Sequence, residues 1–586
     1  MCGFSGFIDN IPNKKNVLES MMDEIIHRGP DESGEYIDEN AALGFRRLSI
    51  IGVSNGLQPL YNEDGSLALV FNGEIYNYQE LREDLIKKGH IFKTETDSEV
   101  LIHLYEDCKT EMVKKLRGMF AFVIWDKNEK TLFAARDHFG IKPFYYTQVE
   151  KDGQKSLIFG SEIKSLLMHP NFKKEVNKHA LKPYLTFQYS VLDETFFKGV
   201  FKLKPGHFMV YKDGKIKIEQ YWDVEFNQEN IDLQESINRI KDAVSESVEV
   251  HSHSEVPLGS FLSGGVDSSY IAKCLMPQKT FSVGFEQENF DESDLAKDLS
   301  DILGIENVRK MITADECFDM LPTIQYHMDE PQSNPSSVPL YFLAQLAREH
   351  VTVVLSGEGA DEIFGGYEWY DDDEKLKKYK KLPSFIRKPV AKVAEKMPYF
   401  KGRTTLIRGG SSVEDYFIGQ AQIFEEREAV DILQSPYTKS PSIKEITRPV
   451  YNNVKNEDDV TKKQYLDLKL WLAGDILLKA DKMSMAHSIE LRVPFLDKEV
   501  MKVGESIPTK YKVNDENTKV ALRYAAKEVL PEEWAKRQKK GFPVPIRFWF
   551  KEQKYYDMVK EAFTSDYASE FFDTAKIVKL LDDQDR

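Results

Sequence analysis

Cysteine, long apolar runs and excess positive charge are all scarce in this sequence. Four cysteines in 586 residues are too few and too scattered for a disulfide framework or a cysteine zinc site, which fits a reducing compartment. The N-terminus lacks the basic and then apolar pattern of a secretion signal, and no apolar run is long enough for a membrane span. A net charge of −17 disfavours binding to nucleic acid or to anionic membranes. These absences predict a cytoplasmic protein with neither kind of partner.

The chain is long enough for several domains, and its patterns group into two. A length of 586 residues corresponds to about four domains by the usual prior. Short β-rich runs dominate as far as Lys215, whereas from Leu233 the period becomes helical and strands alternate with helices to about Phe364. We therefore expect a domain of stacked antiparallel sheets over residues 2–215. A second domain, with a doubly wound parallel sheet and a helical C-terminal part, is expected over residues 230–586.

Cys2, directly behind the initiator Met1, is the first candidate catalytic residue. Removal of Met1 would leave one residue that carries both a thiol and a free α-amine. An α-amine has a pKa of about 7.7–8.0 against about 10.4 for lysine, so it is the amine best able to take the thiol proton at neutral pH. Cys2 is therefore a candidate nucleophile with its own base. A second-position cysteine that arose by chance is the alternative.

Polar residues within the next hundred positions supply groups that such a nucleophile needs. Asn72 and Gly73 offer a side-chain amide and a backbone N–H, which are the donors that stabilise an oxyanion formed at a carboxamide. Arg47, Glu74 and Asp97 carry the charges that the α-carboxylate and α-ammonium of an amino-acid substrate require. The alternative for the Asn-Gly pair is a hairpin turn, because this dipeptide is a strong turn signal after an apolar run.

In this order, the segments resemble the glutaminase domain of the class II, N-terminal-nucleophile glutamine amidotransferases. They are MCGFSGF (1–7), HRGPDESG (27–34), RRLSI (46–50), FNGEIYN (71–77), TDSE (96–99), GMFAF (118–122), ARD (135–137) and GSE (160–162). The resemblance implies the αββα sandwich of an N-terminal-nucleophile hydrolase. It also implies that Cys2 is the nucleophile, that Asn72 and Gly73 form the oxyanion hole, and that Arg47, Glu74 and Asp97 bind glutamine.

A serine- and glycine-rich turn, SGGVDSS (263–269), lies between an apolar run at 256–262 and a helical pattern that opens at Tyr270. Backbone N–H groups in such a turn, together with a helix N-terminus, form an anion-binding site, and phosphate is the expected ligand. No lysine follows the glycines as it does in a Walker P-loop, and GEGADE (357–362) breaks the dinucleotide fingerprint at its third glycine. Neither γ-phosphate transfer nor NAD chemistry is indicated. An ordinary turn between a strand and a helix is the alternative.

Two further β-rich runs, TFSVGF (280–285) and TVVL (352–355), are typical of neighbours of the first strand in a parallel sheet. Ligands gather at the carboxyl ends of such strands, so the loops that follow the three runs should share one nucleotide site. Asp267 and Asp361 would place carboxylates next to phosphates, and these negative charges require a divalent cation between them. Mg²⁺ is the expected ion. Use as helix N-caps is the alternative for both aspartates.

The turn at 263–269 resembles the PP-loop of ATP pyrophosphatases. Together with KADKMSMAHSIELRVPFLD (479–497) and RQKKGFPVP (537–545), it makes nearly the whole chain resemble the glutamine-hydrolysing asparagine synthetases. The resemblance implies that Glu358 is the base for ammonia attack on an acyl-adenylate and that Lys539 neutralises charge as pyrophosphate leaves. A solvated surface lysine is the alternative for Lys539. The residues expected to bind ATP are Leu262, Ser263, Gly264, Gly265, Asp267, Ser268, Val283, Ser356 and Gly357, and those expected to bind Mg²⁺ are Asp267 and Asp361.

The implied reaction is the amidation of aspartate to asparagine, with glutamine, aspartate and ATP as substrates and an internal passage for ammonia. The oligomeric state is left open, with a homodimer as one option. The stretch HMDEPQSNPSSVPL (327–340) falls where this family contacts aspartate, and Pro335 stands near a position where some members carry arginine. Its prolines predict an irregular loop over 329–339. The alternatives are amidation of another carboxylate, such as a sugar acid or a small peptide, and a noncatalytic sensor of glutamine or nucleotide.

Overall fold

The structure is a computed structural model that describes residues 2–151, 153–287, 290–398, 400–538, 541 and 543–583. No helix within these ranges combines the length and the apolar character that a membrane crossing requires.

Twelve strands build the N-terminal domain in the part of the chain that the structure describes: β1 (Gly3–Ile8), β2 (Glu32–Ile37), β3 (Ala41–Arg47), β4 (Leu60–Tyr61), β5 (Leu67–Ile75), β6 (Gly118–Asp126), β7 (Thr131–Arg136), β8 (Tyr145–Lys151), β9 (Gln154–Gly160), β10 (Val200–Lys202), β11 (His207–Lys212) and β12 (Lys215–Gln220). They form two six-stranded sheets, with the orders β10-β8-β9-β1-β3-β2 and β12-β11-β7-β6-β5-β4. All neighbouring pairs are antiparallel.

The two sheets pack face to face, and helices cover their outer faces. Alternate residues of β5 point in opposite directions, so Val70 joins Phe4 and Phe159 in the core between the sheets, whereas Phe71 faces the helices. Helices α1 (Lys14–Asp23) and α4 (Ile163–Leu166) pack on the first sheet, and α3 (Glu99–Cys108), with α2 (Tyr78–Lys87) beside it, packs on the second. The predicted αββα sandwich is confirmed. Strand β12 continues the second sheet past residue 215, the end that the sequence predicted for this domain.

A five-stranded parallel sheet forms the centre of the C-terminal domain. Its strands are β13 (Leu258–Phe261), β14 (Lys279–Phe285), β15 (Glu306–Ile312), β16 (Val353–Leu355) and β17 (Glu490–Arg492), in the order β15-β14-β13-β16-β17. Helices α7 (Val266–Leu275) and α8 (Ser293–Leu303) contact each other, and α9 (Ala314–Met328), α10 (Ser337–Arg348) and α19 (Leu477–Met485) form a second group. The strand order reverses direction at β13, as in a doubly wound sheet, which confirms the predicted fold class.

The remaining helices are α5 (Leu181–Phe187), α6 (Leu233–His251), α11 (Ala360–Phe364), α12 (Glu374–Lys380), α13 (Ser384–Lys396), α14 (Arg403–Gly410), α15 (Val413–Tyr416), α16 (Glu426–Ile432), α17 (Ile443–Asn452), α18 (Asp459–Leu466), α20 (Lys498–Ser506), α21 (Val520–Lys527), α22 (Glu532–Lys536), α23 (Ile546–Trp549), α24 (Gln553–Phe563), α25 (Asp566–Phe571) and α26 (Thr574–Asp582). A π-helical stretch, Asp467–Ile476, joins α18 to α19. The helical C-terminal part was predicted from the sequence.

Two predictions about the C-terminal domain need correction. Strand β17 lies far beyond residue 364, where the sequence analysis ended the alternation of strands and helices. The expected irregular loop over 329–339 ends earlier, because α10 begins at Ser337 and Pro339 is its third residue. The first turn of a helix tolerates proline, since its backbone N–H groups have no partner within the helix.

The two domains share one apolar cluster. Leu48, Met119 and Ile141 of the N-terminal domain are buried in the same cluster as Val266 and Leu355 around the parallel sheet. The interface between the domains therefore includes apolar packing.

Candidate active site

Cys2 lies immediately before β1, where the two sheets of the N-terminal domain face each other. Its backbone N–H donates to Oδ1 of Asn72 at 3.0 Å, and its Sγ lies 3.8 Å from the carbonyl oxygen of Leu48. Burial raises the pKa of the Cys2 thiol. The thiol is therefore neutral at rest and needs a base before it can attack a carbonyl.

Asn72 and Gly73 lie within β5 and not in a hairpin turn, so the turn interpretation is wrong. The Asn72 side chain is fully buried, and among the described residues its Nδ2 has no hydrogen-bond partner. A Cβ atom at Gly73 would lie 2.0 Å from the carbonyl oxygen of Met119, so only glycine fits there. A buried amide donor beside a thiol is the arrangement that an oxyanion requires.

Arg47 and Asp97 are both buried, and the charge of Arg47 acts on the Cys2 thiol. Nη2 of Arg47 donates to the carbonyl of Gly52 at 2.6 Å, and Nη1 pairs with Glu32 at 2.5 Å. Oδ2 of Asp97 accepts from the backbone N–H of Ile75 at 2.7 Å. Burial raises the pKa of Asp97 to about 6, so this carboxyl group titrates close to neutral pH.

Glu74 contacts the C-terminal domain directly. Its Oε1 lies 3.3 Å from Nη2 of Arg492, whose Nε donates to Glu490 at 2.5 Å. Burial, with Glu490 and Asp97 close by, raises the pKa of Glu74 well above its usual range. Sequence reasoning assigned no role to Arg492 or Glu490, although both belong to the quoted segment 479–497. The first candidate site is thus completed by residues from β17.

Arg28 connects the backbone of the nucleophile to the C-terminal domain. Its fully buried guanidinium donates to the carbonyl of Cys2 at 3.2 Å, to Glu162 at 2.9 Å and to Asp481 at 2.8 Å. The segment 27–34 was recognised in the sequence, but this contact was not predicted.

The second candidate site is a cavity of about 610 Å³ at the carboxyl ends of β13, β14 and β16. The lining includes eight of the nine residues expected to bind ATP, namely Leu262, Ser263, Gly265, Asp267, Ser268, Val283, Ser356 and Gly357, as well as the expected base Glu358. Gly264 is not among the lining residues; its φ of +76° forms the bend of the turn. The turn leads directly into the N-terminus of α7, a geometry that binds phosphate.

Asp267 and Asp361 are brought together by Lys519. Its buried Nζ pairs with Oδ2 of Asp267 and lies 2.7 Å from Oδ1 of Asp361. The N-caps of the two helices are Gly265 and Gly359, so neither aspartate caps its helix. These carboxylates can therefore lie together without a divalent cation, because a lysine outside every recognised segment already bridges them.

Lys479 is a further cation on the cavity wall. Its Nζ donates to Oγ of Ser336 at 2.7 Å, and Asn334 beside it donates to Asp475 at 2.5 Å. Lys479 is buried, with 6% of its side chain exposed. The stretch 327–340 thus contributes Asn334 and Ser336 to the cavity, and Lys479 from α19 supplies the positive charge that the stretch itself lacks.

The acidic pair in the same stretch has a different position. Asp329 pairs with Lys164 at 2.8 Å and with Lys482 at 2.6 Å, and Glu330 accepts from the backbone N–H of Phe196 at 3.0 Å. Lys164 and Phe196 belong to the N-terminal part of the chain, so the pair links the two halves. Two residues with predicted roles, Met1 and Lys539, lie outside the described residues.

Comparisons with known proteins agree with this pairing of sites. A family model described as a glutamine amidotransferase domain matches residues 1–222, and one described as asparagine synthase matches residues 239–586. The two halves define an ATP-dependent amidotransferase that takes nitrogen from glutamine. The chain belongs to the asparagine synthase family.

Curated relatives match nearly the whole chain. The chain is 44% identical to asparagine synthetase [glutamine-hydrolyzing] 1 of Bacillus subtilis (strain 168), over 100% of this chain and 93% of the relative. Asparagine synthetases 2 and 3 of the same strain are 30% and 29% identical, over 99% and 93% of this chain and 78% and 87% of theirs.

Proposed function

We propose that this protein converts aspartate to asparagine with ammonia released from glutamine. In the N-terminal site, the Cys2 thiolate attacks the glutamine carboxamide, ammonia leaves, and water hydrolyses the thioester to glutamate. The free amide donor of Asn72 and the backbone N–H of Gly73 would stabilise the oxyanion, and each such donor is typically worth about 2.7–4 kcal/mol. Arg47 would bind the α-carboxylate of glutamine, and Glu74 with Asp97 its α-ammonium.

In the C-terminal site, an aspartate β-carboxylate oxygen attacks the α-phosphorus of ATP, which forms β-aspartyl-AMP and releases pyrophosphate. Ammonia then displaces AMP, and Glu358 takes the proton that the nitrogen loses. The backbone of residues 262–265 and the N-terminus of α7 would bind the phosphates. We further propose that Lys539 neutralises charge on the departing pyrophosphate.

Carboxylate oxygens are the ligands that Mg²⁺ prefers, and Asp267 and Asp361 present them beside the phosphate-binding turn. We propose that both hold Mg²⁺ when nucleotide binds, where the ion would neutralise phosphate charge. Lys519, which bridges them, would keep the two carboxylates together before that.

The observation that supports aspartate as the acceptor is Lys479 on the wall of the nucleotide cavity. Aspartate differs from simpler acceptors in having a second carboxylate, which needs a buried cation. Lys479 is buried, faces the same cavity as the phosphate-binding turn, and is held by Ser336. Asp475 lies 4.0 Å from Nζ of Lys479, and an uncharged acceptor end would add no counter-charge of its own to this buried ammonium.

The test is pyrophosphate release from ATP, Mg²⁺ and ammonia with one acceptor at a time. We expect fast release with aspartate and background release with glutamate or a uronic acid. Lys479→Met should raise the KM for aspartate by roughly 10- to 150-fold, because a hydrogen bond to a charged group is worth about 1.5–3 kcal/mol, while the KM for ATP stays the same. The matched control is Lys462→Met, at a lysine on α18 paired with Glu414. A rise in the KM for ATP alone would assign Lys479 to phosphate, and a better acceptor than aspartate would overturn the proposal.

Three assignments beyond the chemistry complete the proposal. Leu48, whose carbonyl lies beside the Cys2 thiol, belongs to the apolar cluster that continues into the C-terminal domain, and we propose that ammonia crosses there.

All four cysteines are free thiols, which supports a cytoplasmic location. A homodimer is the proposed assembly, to be tested by light scattering.

A further inference from the structure

Four side chains with metal-binding atoms meet in the N-terminal domain, away from the residues assigned to glutamine. Glu63 lies between β4 and β5, His90 follows α2, and His103 and Glu106 lie on α3. One nitrogen or oxygen atom of each lies within 4.8 Å of those of the other three. No step of the proposed reaction uses these residues.

The distances between these atoms suit a tetrahedral ion. Nδ1 of His90 lies 3.5 Å from Oε2 of Glu106 and 3.7 Å from Oε1 of Glu63. Nδ1 of His103 lies 3.2 Å from Oε2 of Glu106 and 3.6 Å from Oε2 of Glu63. Zinc binds histidine and carboxylate at about 2.0–2.2 Å, which places tetrahedral ligand atoms about 3.3–3.6 Å apart. The four histidine–carboxylate distances therefore already have nearly the right length.

Each histidine turns its other nitrogen towards an outer carboxylate. Nε2 of His90 lies 3.1 Å from Oδ1 of Asp107, and Nε2 of His103 lies 3.7 Å from Oε1 of Glu99. A carboxylate behind the imidazole fixes the tautomer so that Nδ1 carries the lone pair, and it raises the basicity of the ligand. The hydrogen bond to Asp107 thus sets His90 to use Nδ1, and Nδ1 of His103 faces the same centre of the cluster.

The two carboxylates of the cluster are held in the same way. Oε1 of Glu63 accepts from the backbone N–H of Ile91 at 3.0 Å, and Oε1 of Glu106 accepts from Nδ2 of Asn62 at 2.9 Å. Oε2 of Glu106 lies close to both histidines, whereas Glu63 presents Oε2 to His103 and Oε1 to His90. Three members of the ligand set, His90, Glu63 and Glu106, therefore have outer hydrogen bonds, and Glu99 lies 3.7 Å behind the fourth, His103.

We propose that Glu63, His90, His103 and Glu106 bind one Zn²⁺ ion, or a similar first-row transition ion, as a structural site. Two imidazoles favour such an ion over Mg²⁺ or Ca²⁺, which prefer oxygen ligands. Four protein ligands leave no open position for a substrate, as in structural zinc sites. The partial exposure of Glu63 and Glu106, 33% and 28% of their side chains, gives the ion a route from solvent.

The ion would join the end of α2, the middle of α3 and the β4–β5 connection. Residues 91–98 between His90 and α3 include Asp97, which we propose binds the ammonium of glutamine. The metal would therefore stabilise the segment that carries one wall of the glutamine site, without contact with the substrate.

Metal binding to the full-length protein tests the proposal directly. Protein stripped by a chelator is titrated with Zn²⁺ by calorimetry and with Co²⁺ by absorption spectroscopy. We expect one equivalent to bind, a tetrahedral Co²⁺ spectrum without a thiolate band, and a higher Tm with Zn²⁺. His90→Ala and Glu63→Gln should each abolish this equivalent. Asp107→Asn should weaken it about 10- to 100-fold, because that carboxylate only supports a ligand. His253→Ala, at an exposed histidine, is the matched control and should bind as the wild type does.

The outcomes separate the site from its alternatives. His90 and Glu63 are partly exposed, so thermal unfolding without metal should show both variants folded; should one fail to fold, the other decides. Absence of a stoichiometric ion in the wild-type protein would overturn the proposal and leave a hydrogen-bonded cluster of charges. An equivalent that survives in both variants but disappears in Cys2→Ala would place the ion at the thiol and overturn the proposal as well. Neither result depends on whether the acceptor is aspartate.

Discussion

At the scale of single residues, burial determines the properties of the nucleophile Cys2 and of the oxyanion donor Asn72. Burial raises the pKa of the Cys2 thiol, so thiolate forms only when a neighbouring base accepts the proton. The same burial leaves Nδ2 of Asn72 with no partner among the described residues, a cost that substrate binding would remove. Sequence motifs identified both residues. The unsatisfied donor of Asn72 follows only from the three-dimensional structure, in which β5 lies next to Cys2.

The first prediction concerns Cys2. Cys2→Ala should abolish glutaminase activity, because no other group supplies the nucleophile, and should leave synthesis with added ammonia within about twofold of wild type. Glutamate release and pyrophosphate release measure the two activities separately. Cys108→Ala is the control, since it removes another partly exposed thiol. Loss of both activities in a folded Cys2→Ala protein would contradict the division of labour between the domains.

The second prediction concerns pH and Asp97. Its pKa of about 6 lies above the ordinary value for aspartate because the group is buried, so the carboxyl becomes neutral as the pH falls below 6. The glutamine ammonium prefers the ionised form, and its Kd should therefore rise up to about tenfold per pH unit below 6. Calorimetry on Cys2→Ala protein measures this binding without turnover. Asp97→Asn in the same background should bind weakly, with little change between pH 5 and pH 7. A dependence that persists unchanged in Asp97→Asn would assign the titration to Glu74.

At the scale of elements, strands made of apolar residues were predictable from the sequence and a strand with charged residues was not. The runs that became β13, β14 and β16 are apolar and bounded by turn residues, which is why sequence reasoning located all three. Strand β17 is as short as β16, but two of its three residues, Glu490 and Arg492, are charged, so it has no apolar run. Its place in the sheet depends on pairing with β16 across more than a hundred residues. The Asn72-Gly73 pair was ambiguous because its strong turn signal lies inside a nine-residue strand.

The nucleotide cavity was also only partly predictable from the sequence. The phosphate-binding turn and the 356–362 loop were found by their glycines, whereas Lys519 carries no local signal, and Lys479 was given no role although it opens the segment 479–497. A single lysine in a helical region is usually on the surface. Only the three-dimensional structure brings Lys519 between the two aspartates.

The third prediction concerns this cluster. Asp267→Asn and Asp361→Asn should each lower pyrophosphate release at least tenfold and shift its Mg²⁺ titration to higher concentration, because one metal ligand and one negative charge are lost. Glutamine hydrolysis should persist, since its residues lie in the other domain. Asp294→Asn, at an exposed aspartate of α8, is the matched control. An unchanged Mg²⁺ titration in both variants would leave the aspartates as partners of Lys519 only.

At the scale of the whole molecule, buried ion pairs connect the two sites. Arg28 contacts Cys2 on one side and Asp481 on the other, and Asp329 joins Lys164 to Lys482 across the same interface. Arg28 and Asp481 are 453 positions apart in the chain. Local sequence patterns cannot reveal a pair of residues this far apart. Each domain was therefore predictable from the sequence, but the contacts between the domains were not.

The last prediction tests whether this contact couples the two activities. Asp481→Asn keeps the shape of the side chain but leaves Arg28 with Glu162 as its remaining carboxylate partner. Breaking a buried pair from one side typically costs about 3–5 kcal/mol, so the Tm should fall. If the contact aligns the domains, ammonia escapes more often, and the ratio of glutamate released to asparagine formed should rise above one while activity with added ammonia is retained. Glu235→Gln, which removes an exposed pair with Arg239, should change neither quantity. A lower Tm with an unchanged product ratio would make the pair a stabilising contact with no part in the transfer of ammonia.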